Sequence, residues 1–420
     1  MRIVLWGPFG TANTGNASTL VTVASRLRSL YPDVELCCVG NHFEPDRDAL
    51  GITAIPIGSR TARFWNRDLR LVERTKSAII AILQDLREYE TAFTTLKEVE
   101  MLIVPGTGLL NDVWGLSSWG PYSLFKWSLA ARLRGCKLIF LNVGAGPIYT
   151  RAGRLLIASA LHMAHYRSYR DHPTLEVVKS IGVHDDSHHV YPDLVFDLPA
   201  EFRTGLSNGT RERRVAGLGL MVYAGRYSAA DPSETTYEKY LEALVILADW
   251  LLAHEYDVRL LLGDDEPEAI ADFREAFSAQ SKQPSLKSRI ANTPAQSVRE
   301  IVTQIAATDV VVATRFHNLL LSLVLERPVI AVSFHHKCAS LMSEMGLAEY
   351  CFDIHAVDAG SLIDGFERLE NNRDDVKRVI TDGVARNRQA LHEQYEHVFA
   401  TPREEHVPAR SAEPGREGPC

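Results

Sequence analysis

Two doubly wound parallel-sheet α/β domains facing each other across a cleft are the architecture this sequence predicts. Three observations predict it: the length, two successive series of β-rich runs alternating with helical stretches, and a polar, non-periodic segment between the series. At 420 residues the chain exceeds what one ordinary hydrophobic core holds together, and two cores are expected. Strands alternating with helices argue for parallel sheets covered by helices on both faces.

In the first series strands are expected at Arg2–Trp6, Val34–Val39, Met101–Val104, Lys137–Asn142 and His189–Tyr191. Helices are expected over Ala17–Leu30, Ser123–Arg134, Ala152–Met163 and Thr174–Ile181. The stretch Ser59–Glu98 reads as a mostly polar, helical excursion from the sheet. "PAEFRTGLSNGTRERR" (199–214) has two glycines, a proline and no periodicity, which marks an interdomain linker. The second series runs Val215–Val222, helix Tyr237–His254, Val258–Leu262, helix Glu268–Ala279, helix Val298–Ala306, Val310–Ala313, helix Asn318–Glu326 and Val329–Ser333. Helical sequence continues from Gly360 to about Phe399. The expected domains are therefore Rossmann-like units at residues 1–205 and 213–375, a C-terminal helix at 376–399 and a disordered tail at 400–420. No repeat of solenoid period occurs.

Composition narrows the function. A hydrophobic content of 46% with 23% charged residues is that of a soluble globular protein. The net charge of −8 gives no support for nucleic-acid binding, which needs a broad basic face. A local cationic cluster in such a chain is expected to serve a small anion. The six cysteines lack paired metal spacing, and adjacent Cys37 and Cys38 read as core fillers in a buried strand, as in a reduced, cytoplasmic protein. "MRIVLWGPFG" is no signal peptide, and no apolar run reaches the ~18–20 residues needed to span a bilayer.

Several strand exits carry residues suited to chemistry. "WGPFGTANTGNAST" follows the first strand and opens a helix. Its glycines at 7, 10 and 15 permit close backbone approach, and the helix start offers free N–H groups to an anion. The spacing is neither a dinucleotide fingerprint nor a Walker loop. Taken alone the stretch reads equally as a plain strand-to-helix turn capped by Asn13 and Asn16. "VPGTGLLND" (104–112) and "NVGAGP" (142–147) are further glycine-rich exits in the same half, and small residues there clear space for a ligand. "YRSYRDHPTLEVVKSIGV" places Arg170 and Asp171 before a helix; the bland reading has Asp171 capping that helix and Arg170 solvated. In "ATRFHNLL" a buried strand ends at Thr314. Arg315 can fork onto a carboxylate or phosphate, and His317 is expected to titrate near neutrality and to transfer a proton. A lone histidine is more often structural. The company of Arg315 and Lys337 at the carboxyl edge of a parallel sheet, where ligands of such sheets bind, favours function.

These stretches, "GTANTGNAS", "PGTGLLND", "NVGAGPI", "YRDHPTLEVVKSIGV…VYPDLVF" and "ATRFHNLLLSLVLERPVIAVSFHHK", resemble in this order the polysaccharide pyruvyl transferases over about residues 1–350. The Arg-x-His block with its following Pro-Val-Ile-Ala strand and Lys337 is the most specific part. The resemblance implies a glycosyltransferase-B-like fold with the active site between the domains. It also implies transfer of a pyruvyl group from phosphoenolpyruvate onto two hydroxyls of a sugar, glycolipid or lipid-linked saccharide. His317 would be the catalytic acid, with Arg170, Arg315 and Lys337 holding phosphoenolpyruvate. The cleft loops would present Asn13, Asn16, Gly106, Gly108, Asp112, Asn142, Gly144, Asp193, Arg226 and His336 to the donor or acceptor. No metal or cofactor is expected, and a lipid-linked acceptor leaves room for peripheral contact with the inner face of a membrane. The sequence departs from the family at Phe316 (commonly Leu), Asn16 (commonly acidic), Asn142 (commonly Gln) and the pair His335-His336. Two other readings stay open: a nucleotide-sugar glycosyltransferase of the same build, and a non-catalytic glycan-binding protein.

Overall fold

The computed structural model describes residues 1–9, 13–40, 47, 50–55, 86–113, 115, 120–184, 189–204, 212–223, 233–263 and 266–399. They form two wholly parallel sheets. The first contains β1 (Arg2–Phe9), β2 (Glu35–Gly40), β3 (Thr53–Ile55), β4 (Met101–Pro105), β5 (Lys137–Val143), β6 (Tyr166–Tyr169) and β7 (His189–Val190), in the order β3-β2-β1-β4-β5-β6-β7. The second contains β8 (Arg214–Leu220), β9 (Tyr256–Leu262), β10 (Ile290–Asn292), β11 (Val310–Ala313), β12 (Val329–Ser333) and β13 (Cys351–Asp353), in the order β10-β9-β8-β11-β12-β13. Each order reverses once, between β1 and β4 and between β8 and β11. These are the switch points where an open parallel sheet forms its binding crevice.

The central strands are apolar throughout because helices cover both of their faces. In β5, "KLIFLNV", every residue after Lys137 is buried. Cys37 and Cys38 are fully buried in β2, as core fillers. Local signals set the helix ends. Pro121 opens the helix Pro121–Arg134, and Gly135 closes it in the left-handed conformation at φ 74°. Asp171 caps the helix His172–Ser180 by accepting from the Thr174 N–H at 2.7 Å.

The structure adds β3, β6, β10 and β13 to the expected strands. Helical sequence after Gly360 divides at Asn372 into the helices Ala359–Asn371 and Arg373–Phe399. The expected tail, residues 59–85 of the expected helical excursion, residues 205–211 of the expected linker and Arg226 lie outside the described residues, and the described start of the linker forms a short helix at Ala200–Arg203. Among those described, no helix is long and apolar enough to cross a membrane.

The helix Arg373–Phe399 returns from the second sheet to the first. Its buried Gln394 donates from Nε2 to Asn142 Oδ1 at 2.5 Å and to Ser168 Oγ at 2.8 Å. Lys137 Nζ and the Tyr31 hydroxyl donate to the carbonyls of Val398 and Phe399 at 3.0 and 2.8 Å. Asn142 itself sits at φ 51°, a left-handed conformation that asparagine tolerates better than most residues. Removing the Gln394 donor in a Gln394→Leu variant is expected to destabilise the protein by about 1–3 kcal/mol, the usual cost of stranding buried polar partners. Urea denaturation of the two proteins measures this; equal midpoints would show that the network adds nothing.

Candidate active site

Strand ends from both sheets converge on one half-buried cationic cluster. From the first domain come Gly15 in the first turn of the helix Thr14–Leu30, Gly108 after β4, Gly144 after β5, Arg170 after β6, and Asp193. From the second come Arg315, Phe316 and His317 after β11, and the His335–Lys337 turn after β12. Arg315 is the extended residue before the helix Phe316–Val324, so that helix's first turn carries His317 to the sheet edge.

Glycines let the two domains meet here. The edge of the His317 ring rests directly on Gly15, where a methyl group would overlap Nε2, Cε1 and Cδ2. The Arg170 guanidinium lies against Gly144, leaving a Cβ there only 2.6–2.7 Å from Nε, Cζ and Nη2. Gly108 faces Lys337, whose Nζ would stand 3.8 Å from a Cβ at that position. Backbone joins the domains as well, Thr14 N–H donating to the Gly263 carbonyl at 3.4 Å.

Arg170 is buried, not solvated. Its Nε is 3.4 Å from Asp171 Oδ2, its Nη1 3.6 Å from Asp193 Oδ2, and its Cζ 5.4 Å from the centre of the Phe316 ring. Those carboxylate distances are long for hydrogen bonds, and the buried Nε has no hydrogen-bond partner. A group with unspent donors held over an aromatic face is poised for an anion. Phenylalanine at 316 thus gives Arg170 a cation–π contact across the cleft that leucine cannot. Arg315 pairs with Glu266, a residue to which no sequence motif pointed.

Electrostatics separate these groups sharply. Burial, then the charges of Arg170, Lys337 and Arg315, push the His317 pKa down to about 3. The expectation of a histidine titrating near neutrality is therefore corrected: the ring is neutral at pH 7. His335 is held at about 3 by burial, Lys337 and His336. Burial and Arg170 lower Lys337 to about 8, so it keeps most of its charge at neutral pH. Burial raises the Asp193 carboxyl, opposed by Arg170. For Asp171 burial acts in the same upward direction, but the Thr174 hydrogen bond and Arg170 outweigh it and hold the carboxyl low.

Other expected site residues serve the frame. Asn142 does not reach the cleft: it is fully buried, with Oδ1 occupied by Ser168 and Gln394 and its amide donating to the Pro192 carbonyl at 2.8 Å. Asp112 spends its carboxylate on the Tyr149 and Thr150 N–H groups and the Thr150 hydroxyl, at 2.6–2.8 Å, closing the turn after β5. Asn13 caps its helix, and Asn16 donates to the Pro8 carbonyl at 3.1 Å. Gly106 accepts from Thr19 at 3.1 Å and packs against the Asn142 carbonyl. His336 stands beside the cluster with its ring 4.0 Å from that of His335.

A family model for polysaccharide pyruvyl transferases matches residues 13–336, from the Asn13 cap through Gly15, Arg170, Arg315 and His317. The chain belongs to the polysaccharide pyruvyl transferase family. Family membership makes it a transferase of polysaccharide biosynthesis. One curated relative, the amylovoran biosynthesis protein AmsJ of Erwinia amylovora, is 24% identical over 89 residues; the match spans about a fifth of each chain, 21% in both cases. Among solved structures, a UDP-N-acetylglucosamine 2-epimerase described as putative, from Listeria monocytogenes, superposes with TM-score 0.61 at 12% identity, over 96% of this chain and 98% of that one. The UDP-GlcNAc 2-epimerase of Neisseria meningitidis gives 0.56 at 11%, over 94% and 100%. A glycosyltransferase from Rickettsia africae gives 0.57 at 10%, over 95% and 99%. At such identities the likeness shows the fold, and this member of the family has the two-domain glycosyltransferase-B architecture.

The Gly15 contact makes its own prediction. Alanine favours a helix over glycine by up to ~1 kcal/mol, so Gly15→Ala does not weaken the helix. Its methyl displaces the His317 ring, and a shift of about 1 Å at a reacting group costs on the order of 10²-fold. Turnover is expected to fall at least about tenfold with an unchanged circular dichroism spectrum. Wild-type kinetics in that variant would place the working position of His317 away from Gly15.

Proposed function

We propose that this chain transfers the pyruvyl group of phosphoenolpyruvate to two hydroxyls of a sugar in a polysaccharide, glycolipid or lipid-linked precursor, forming a cyclic ketal and releasing phosphate. The observation that carries the reading is a neutral, half-buried His317 ringed by cations from both domains, Arg170 from one and Arg315 and Lys337 from the other. A donor with a phosphate and a carboxylate matches those cations. Its arrival replaces repulsion at His317 with attraction, so the imidazolium forms in the donor complex.

The steps then follow. His317 gives its proton to the methylene carbon of the donor, which becomes a methyl group. The adjacent carbon, developing oxocarbenium character, is attacked by one acceptor hydroxyl, whose proton returns to the histidine. The carbon–oxygen bond to phosphate breaks, and the second hydroxyl closes the ketal. Its proton leaves with the phosphate. Arg170 and Lys337 stabilise the charge accumulating on the departing group. The side chains supply this neutralisation themselves, so the reading calls for no metal, and it puts the reaction in the cytoplasm, where the donor is made.

Incubation with phosphoenolpyruvate and a panel of sugar acceptors tests it. Mass spectrometry should show an acceptor gaining one pyruvate less one water, with inorganic phosphate released. The competing reading is transfer from a nucleotide sugar, since Arg315 and Lys337 can also face a diphosphate. Thermal shift separates the two, because a ligand of the native state raises its melting temperature. Stabilisation by nucleotide sugars and none by phosphoenolpyruvate would overturn the proposal.

A further inference from the structure

In a chain of net charge −8, residues 113–170 contain no aspartate or glutamate and eight lysines and arginines. This stretch supplies the helices Pro121–Arg134 and Arg151–His162, which pack side by side on one face of the first sheet. It also supplies the three most exposed large apolar side chains among the described residues: Tyr149 at 70%, Leu133 at 68% and Leu155 at 68%. Isolated exposed hydrophobics are ordinary, but Tyr149 and Leu155 have company. The Asp112 carboxylate accepts from Tyr149 N–H, which brings Val113, 41% exposed, alongside. Leu155 lies one helical turn beyond Arg151. Arg154 donates from Nε to the Ile148 carbonyl at 3.4 Å, and both arginines are exposed. The result is an apolar spot of Val113, Tyr149 and Leu155 flanked by Arg151 and Arg154.

The position of the spot matters. It is built on the loops after β4 and β5, the same loops that bring Gly108 to Lys337 and Gly144 to Arg170. It therefore borders the mouth of the cleft. The acid beside it, Asp112, is occupied by three hydrogen bonds. Exposed leucine, valine and tyrosine between arginines suit a surface that is apolar just beneath an anionic layer. A polyanion in water would reward the arginines and leave the leucine unused.

We infer that this face docks the enzyme onto an anionic phospholipid bilayer, with the cleft mouth at the headgroup level. Peripheral binding then presents a membrane-borne acceptor to the loops of the first domain. The inference goes beyond the pyruvyl-transfer reading and is tested without donor or acceptor, so the two stand or fall separately.

The test is co-sedimentation of the full chain with vesicles of phosphatidylcholine alone and of phosphatidylcholine doped with phosphatidylglycerol. The wild type should pellet with the anionic vesicles, weakly with the neutral ones, and less as salt is added. The double variant Arg151→Gln/Arg154→Gln should partition about 25-fold less, at about fivefold per basic side chain near an anionic surface. Tyr149→Ser/Leu155→Ser should lose about tenfold with its net charge unchanged. Thermal melting confirms that each variant is folded; none of the four residues holds a core position. Failure of the wild type to bind anionic vesicles overturns the inference, as does equal binding to neutral ones. Capture by heparin that ignores Tyr149 and Leu155, with vesicle binding equally indifferent to them, would reassign the face to a soluble polyanion.

Discussion

Replacing His317 with glutamine should lower turnover by about 10²–10⁴-fold, the usual contribution of a positioned proton donor, while the variant folds and still binds phosphoenolpyruvate. Glutamine keeps a hydrogen-bond donor of similar size but supplies no proton at neutral pH. If His317→Gln keeps most of the wild-type rate, the imidazole only positions the substrate, and His335 or His336 becomes the residue to replace. The same variant has a second, independent readout. With a folded-state pKa of about 3, below the ~6.5 of an unfolded histidine, protons bind the unfolded chain first as pH falls. The stability tied to neutral His317 is thus fully present above about pH 6.5 and is lost progressively toward pH 3. His335, also held at about 3, acts with the same sign. Denaturation midpoints measured across that window should fall with pH less steeply in His317→Gln than in the wild type. Parallel curves would mean that His317 is not a neutral ring with a depressed pKa.

Arg170→Ala should produce the other large effect, on stability and on the donor together. Removing the guanidinium leaves the buried Asp193 without its ion-pair partner, which typically costs about 3–5 kcal/mol. It also removes a charge-assisted clamp of roughly 1.5–3 kcal/mol, so the phosphoenolpyruvate KM should rise tenfold or more. Pairing the change with Asp193→Asn separates the two. Relieving the stranded carboxyl should recover part of the stability and none of the donor affinity. Arg170→Lys, which keeps a charge without the planar fork over Phe316, should fall between. A donor KM unchanged in Arg170→Ala, alongside a lower melting temperature, would make Arg170 a structural ion-pair partner only.

Much of this arrangement could be read from residue order, and the failures have identifiable causes. Long apolar strands such as β5 and β11 announce themselves because both faces are buried. The strands passed over are short: "TAI", "IAN" and "CFD" are three-residue edge strands of β3, β10 and β13, and "YRSY" in β6 carries too few aliphatics to signal a strand. The break at Asn372 has neither proline nor glycine to mark it. At the site, the Arg-x-His spacing and Lys337 were visible as cations at strand ends. Their electrostatic state was not, because the His317 pKa depends on burial by a domain hundreds of residues away in sequence. Gly15 was legible as a glycine allowing close approach, but not as the floor beneath the imidazole. Asn142 and Asp112 misled for the opposite reason: a polar residue in a glycine-rich exit reads as a ligand contact, whereas here each fastens one piece of backbone to another.

The returning helix Arg373–Phe399 has a consequence for synthesis on the ribosome. Gln394 meets Asn142 across 252 positions, and Lys137 and Tyr31 likewise wait for Val398 and Phe399. The domain that emerges first is thus completed by one of the later helices to emerge. Until that helix arrives, Asn142 and Ser168 have each other but lack the Gln394 donor, and Lys137 and Tyr31 lack the carbonyls of Val398 and Phe399. The contacts of the first domain with this helix are therefore made after the rest of that domain has been synthesised. The whole second sheet precedes that helix in the chain, so the last bonds of the first domain form only after the second domain has been made.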